Sequence, residues 1–171
     1  TEESLEAMMA EGREERRKQL YRHKLPEKRT LAGMMAAMTK AELDDIRFNL
    51  NVTGASSLKK AELIERLVPA VEEFAARWLP SLLEEEYVCF KDFVEHDGLS
   101  RKLGEDDERL DYLRGLGFLS CGKEGDGLVW YMPEEVLAVF SRMDDETYPA
   151  LVARNTEMAR LAAGLLYHYG Y

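Results

Sequence analysis

The side chains able to do chemistry are few and dispersed. Acids come in two runs, Glu84–Glu86 and Glu105–Glu108, and a carboxylate cluster is what a divalent cation or an acid–base pair requires. Runs of one charge more commonly form a solvated face, and both are read that way. His23, His96 and His168 lie in separate segments, without metal-ligand spacing or an obvious nucleophile beside them. Near helix ends, His96 and His168 suit capping or surface positions, where a cation meets the helix dipole favourably. Cys89 and Cys121 sit among apolar residues, in "YVCF" and "FLSCG", outside any CxxC or Cys/His cluster. They read as two buried, reduced thiols. There is no P-loop and no GxGxxG, and "GKEGDG" (122–127) reads as a hairpin turn. The expectation is a non-catalytic chain with no cofactor and no metal.

A different chemistry is suggested by "SSLKKAELIERL" (56–67). Lys59 and Lys60 fall in the first turn of a helix, where the dipole disfavours a cation by ~0.3–1 kcal/mol. Either they form an ordinary solvated pair, or this helix end meets an anion. A preceding helix over 40–50 would be ~16 Å long at ~1.5 Å per residue. The loop 51–57 can span up to ~23 Å when extended. The second helix can therefore begin beside the start of the first and run parallel to it. Each start has a hydroxyl cap, Thr39 or Ser57, and lysines, Lys40 or Lys59 and Lys60. Free N–H groups with ammonium groups beside them make a phosphate site. Arg47 and Arg66 lie on the same two helices.

The other basic stretch is "REERRKQLYRHK", with Arg13, Arg16, Arg17, Lys18, Arg22 and Lys24. It reads either as a solvated arm of Glu–Arg pairs or as a nucleic-acid-facing arm. Charge is unevenly divided along the 171 residues, whose net is −10. Residues 1–68 hold 13 Lys/Arg against 12 Asp/Glu, and residues 69–171 hold 10 against 21. Any polyanion contact thus belongs to the first 68 residues, and the rest would repel one. No apolar stretch approaches the ~18–20 residues of a membrane span. The charged first residues lack the h-region of a signal peptide. A cytoplasmic, bacterial protein without membrane contact is expected.

The elements that must position these residues follow from periodicity and punctuation. Residues 4–24 read as a helical arm with Leu5, Met8, Met9 and Gly12 on one narrow face, broken at Pro26. "LAGMMAAM" reads as a short helix whose methionines fill the core. Thr39 and Glu42 form a T-x-x-E capping box, ahead of the stripe Leu43, Ile46 and Leu50. Pro69 would kink or end the following helix, which carries Leu63, Ile64, Leu67 and Val71. Two further helices, at 80–98 and 105–117, precede the β-prone runs "FLSC" and "LVWYM", a hairpin around "GKEGDG". Pro133 opens the next helix at its first position. One or two helices close the chain. Its end, "LLYHYGY" (165–171), echoes "FVEHDGL" (93–99), as though a second unit began there in a longer protein.

Residues 39–68, "TKAELDDIRFNLNVTGASSLKKAELIERLV", resemble the small N-terminal module of transcription termination factor Rho. Leu43, Ile46, Leu50, Val52, Gly54, Leu58, Lys60, Leu63, Ile64 and Leu67 carry the match, and "KKAELIERL" also resembles the second helix of the SAP DNA-binding motif. The resemblance implies a nucleic-acid-associated role, with Lys60, and with it Lys59 and Arg66, toward the backbone. SAP first helices are usually basic, whereas this one has Asp44 and Asp45 beside Arg47. "YLRGLGFL…DGLVWYMPEEV" resembles winged-helix folds generally. Its would-be recognition helix, with Glu105, Asp106, Asp107, Glu108 and Asp111 against Arg109 and Arg114, would be repelled from a DNA groove and suits a protein partner.

The resulting expectation is a mainly α chain in four parts. They are a helical arm (1–29), a Rho-N/SAP-like helix–extended-loop–helix module (30–79), a winged-helix-like domain with one small β-hairpin (80–143) and C-terminal helices (144–171). The expected function is non-catalytic, nucleic-acid-associated or transcription-related regulation. Its contacts would be Lys40, Arg47, Lys59, Lys60, Arg66, Arg13, Arg16, Arg17 and Lys18. The alternative is an adaptor that docks a protein on residues 69–171 and binds no nucleic acid.

Overall fold

The computed structural model describes residues 1–168, which are mainly helical. The elements run α1 (Glu2–Leu20), α2 (Leu31–Ala37), α3 (Lys40–Asn49), α4 (Lys60–Trp78), a 3-10 turn (Leu79–Ser81), α5 (Glu84–Glu95), β1 (Leu99–Ser100), α6 (Glu108–Gly115), β2 (Ser120–Glu124), β3 (Gly127–Tyr131), α7 (Glu134–Met143) and α8 (Tyr148–His168). The last three residues of the 165–171 echo lie outside the described residues.

The core is organised on α4, whose Leu63, Leu67, Val71 and Ala75 recur every four residues and are buried. This stripe packs against α2, α3 and α7. The helix continues through Pro69, where the sequence allowed a kink or an end. An interior proline costs about 3 kcal/mol, and the burial of Leu67 and Val71 on either side offsets it. From α4 a chain of aromatic contacts crosses the molecule. Phe118 touches Trp78 (5.3 Å between centroids), Trp78 touches Phe90 (6.3 Å), Phe90 touches Phe140 (5.2 Å), and Phe140 meets Tyr148 edge-on (6.1 Å). One continuous apolar cluster extends from Leu20 at the end of α1 to Val152 in α8.

The capping box forms as its spacing predicts. Thr39 Oγ1 accepts the Glu42 N–H at 3.2 Å, and the Glu42 carboxylate accepts the Thr39 N–H at 2.9 Å. Ser57 does not cap α4. Buried Ala55 and half-buried Leu58 pack on the core, with the Leu58 N–H donating to Ala55 O at 3.3 Å, so Ser56 and Ser57 form the middle of a turn. The helix begins later, with Lys59 at its N-cap and no side chain closing its first turn. Pro133 likewise stands one position earlier than expected, as the N-cap of α7.

The expected hairpin is present, with Glu124 opposite Gly127 across a two-residue turn. It is part of a three-stranded antiparallel sheet, because β1 pairs with β3 through Leu99–Tyr131 and Ser100–Trp130. Two residues are too few to show an alternating pattern. The outer edge of β2 is taken by the segment after α1. Lys123 donates to His23 O (2.8 Å), and the Leu25 N–H donates to Lys123 O (2.9 Å). Gly122 permits this approach, since a Cβ there would stand 2.7 Å from Leu25 N. The arm helix therefore ends at Leu20, earlier than its charge pattern suggested.

Candidate functional site

Two cations of the arm, Arg16 and Lys18, pair with acids. Arg16 donates through Nε to Glu105 O at 2.9 Å and through its other nitrogens to the Asp111 carboxylate and Glu105 O. The hydrogen bond to Asp111 raises the pKa of this guanidinium. Tyr21 donates to Glu105 at 2.6 Å. A cleft of about 260 Å³ brings Arg13, Arg16 and Arg17 together with Glu105 and Asp106. Lys18 pairs with Glu15 (3.7 Å), and Arg17 lies 5.1 Å above the Tyr21 ring. Arg16 thus meets distant acids, Asp106 and Asp111, rather than a glutamate of the arm, and Lys18–Glu15 is the arm's internal ion pair among the described residues.

The module presents a different picture. Lys60 Nζ donates to Ala36 O at 2.8 Å, and Arg22 donates to Ala37 O at 3.4 Å. Both cations thus stand at the C-terminal carbonyls of α2, where the dipole welcomes them. This accounts for a lysine placed unfavourably on its own helix. The same contact sets α4 beside the start of α3. Further along, Ile46 and Val71 meet at Gly117 (φ +79°), where a Cβ would lie 2.9 Å from Val71 Cγ2 and 3.6 Å from Ile46 Cγ2. The two helices run in the same direction. Arg47 pairs with Asp44 (3.2 Å), and Arg66 donates to Thr53 O (3.1 Å). Of the nine candidate contact cations, Arg13, Arg17, Lys40 and Lys59 have no side-chain hydrogen-bond or ion-pair partner among the described residues.

The other reactive groups are bound up in structure. His96 is the C-cap of α5, with Nδ1 3.3 Å from the Asp92 carboxylate. Asp107 caps α6 by accepting the Arg109 N–H at 3.0 Å. No three His, Cys, Asp or Glu side chains converge as metal ligands among the described residues. Burial pushes the Cys89 and Cys121 thiols up to about 11. Cys121 is buried, with Sγ donating to Leu20 O at 3.5 Å, and Cys89 is half-buried.

Sequence reasoning missed a second, wider concavity. A groove of about 1070 Å³ lies between α5, α6 and α8. It forms because α8 packs closely only along its first half. There Tyr148 and Val152 are buried, and Asn155 donates to Pro80 O (2.8 Å) and Leu82 O (3.1 Å). Thr156 Oγ1 accepts the Glu84 N–H (3.0 Å), closing the first turn of α5. The next turns on that face carry Ala159 and Ala163, too small to reach α5. The groove floor is apolar, with Leu83, Val88 and Leu103, and five carboxylates line it against three cations. The readable signal was the series Val152, Ala159, Ala163, a packing stripe that loses volume toward its end.

No family model, curated protein or solved structure matches the chain. No helix is long and apolar enough to cross a membrane among the described residues.

Proposed function

We propose that this chain is a non-catalytic, cytoplasmic adaptor that holds a protein partner on its acidic C-terminal half. The observation that carries the reading is the groove between α5, α6 and α8, where an apolar floor stays open to solvent. Exposed Val88, at 61%, is part of it. Folding alone gives no reason to leave such a surface uncovered, and concave apolar sites are where binding energy concentrates. The arm lends partial support, since Arg16 and Lys18 already have acidic partners. Two free thiols suit a reducing compartment.

A nucleic-acid-associated regulatory role is the second reading, narrowed to Lys40, Lys59 and Lys60. It is favoured by the first turn of α4, which has no side-chain cap and has exposed Lys59 and Lys60 at its start. The Rho-N/SAP resemblance of residues 39–68 points the same way. Three lysines give a salt slope of at most about −3, a weak grip for a chain of net charge −10. Fluorescence anisotropy of labelled single-stranded RNA, single-stranded DNA and duplex DNA across a salt series tests the order of these readings. Little or no binding at ~0.15 M salt is expected. Saturable, salt-steep binding that disappears in Lys59→Glu/Lys60→Glu would put the nucleic-acid role first.

A further inference from the structure

The groove of the adaptor reading has a charge, and charge selects an occupant. Glu84, Glu85, Glu86, Asp92 and Asp107 line it against Lys102, Arg109 and Arg160. Two of those cations are already engaged. Arg109 lies 3.0 Å from Glu85 and 3.3 Å from Asp107, and Lys102 lies 3.7 Å from Asp92. Glu86 accepts the Leu83 N–H at 3.1 Å. Glu84 has no cationic partner among the described residues. The walls are helices, and the opening between Val88 on α5 and Ala159 and Ala163 on α8 lies where one more helix could pack.

We infer that the groove receives an amphipathic helix of a partner protein, with an apolar face on Val88, Leu103, Ala159 and Ala163 and lysines or arginines flanking it toward the Glu84–Glu86 rim. This rests on the adaptor reading and gives it a partner class. Nucleic acid and anionic bilayers carry the sign of the rim and are disfavoured. So is the α1 arm of a second copy, whose exposed Leu5, Met8 and Met9 are interleaved with Glu2, Glu3 and Glu6. A cationic helix meets apolar floor and acidic rim together, the mode in which spaced apolar anchors give affinity and charge gives selection.

The experiment uses the whole chain and three fluorescein-labelled helical peptides of ~18 residues, about 27 Å. One has leucines at i, i+3, i+4 and i+7 with lysines elsewhere. The second replaces its lysines with glutamates, and the third replaces its leucines with alanines. Saturable binding of the first peptide alone is expected. It should weaken at least ~10-fold in Ala159→Trp or Ala163→Trp, which fill the groove, and a few-fold in Glu84→Lys. Glu84→Lys breaks no side-chain hydrogen bond or ion pair among the described residues, so it stays informative if a tryptophan variant unfolds. Met8→Glu on the arm should bind like the unmodified chain.

Equal binding of the alanine peptide, or binding that ignores both the filled groove and Glu84→Lys, would reduce the effect to surface charge and overturn the inference. Preference for the glutamate peptide, lost on filling the groove, would overturn the cationic partner while leaving the adaptor reading standing. Binding of no peptide would overturn the inference and take the adaptor's site with it. A dimer in sedimentation that Ala159→Trp dissociates would make the occupant a second copy, which also overturns it.

Discussion

The first and last helices, α1 and α8, are of similar length and each is only half attached, but by opposite means. α1 is fastened near its C-terminal end, chiefly by charge: Arg16 on Glu105 and Asp111, and the following Tyr21 on Glu105. Its apolar Leu5, Met8 and Met9 remain in solvent. α8 is fastened along its N-terminal half by burial of Tyr148 and Val152, whereas Met158, Leu161 and Leu165 farther along are exposed. Part of the basic character of α1, Arg16 above all, is thus used internally, whereas apolar character in α8 is left over. The difference moves the search for a partner from the basic end of the chain to the acidic one.

The comparison breaks most readily at Tyr148, which is buried, touches Tyr87 and Phe140, and donates to Leu79 O at 2.6 Å. Tyr148→Ala should cost about 3–5 kcal/mol, a fall in Tm of ~10 °C in thermal unfolding. A fall below ~3 °C would mean that α8 is not held by burial.

Next in size is the arm. Arg16→Gln should cost about 1–2 kcal/mol, less than a fully buried pair because both partners remain partly exposed. Hydrogen exchange should show faster opening of α1 in this variant, and also in ~1 M salt, with α8 unchanged. Equal loosening of both helices would remove the distinction.

The smallest effect concerns the two thiols, Cys121 beside the end of α1 and Cys89 beside the groove. Burial raises both from 9.0 to about 11, so the folded state holds their protons more tightly than the unfolded one. The stability they contribute is complete below about pH 9 and is lost as pH rises through about 11. Denaturant midpoints from pH 8 to pH 11 should fall less steeply in Cys89→Ala than in the unmodified chain. Alkylation at neutral pH should be slow at both thiols, and Arg16→Gln should accelerate it at Cys121 alone. Acceleration at Cys89 would couple the arm to the groove.

Much of the fold is local and was therefore legible in the chain. The Thr39–Glu42 box, the stripes of α3 and α4, the hairpin turn at Gly125–Asp126 and the helix after Pro133 all depend on neighbours within a few residues. The start of α4 was misplaced because Ala55 and Leu58 are drawn into a core assembled from distant segments. The candidate site suffered most, since a charge becomes available only after its partners are known. The interval from Arg16 to Asp111 spans 95 residues, and nothing in the arm announces the acid that meets it.

Sequence alone determined the helical class, the uneven division of charge and the scarcity of catalytic groupings, because composition and short-range periodicity dictate them. Tertiary structure alone decided that Lys60 serves the end of α2, that Arg16 is neutralised, and that two alanines of α8 leave a groove where larger side chains would have closed it. The physical reason is range. Helix and turn preferences act over one or two turns, while electrostatic neutralisation and unfilled volume arise between elements brought together only by folding.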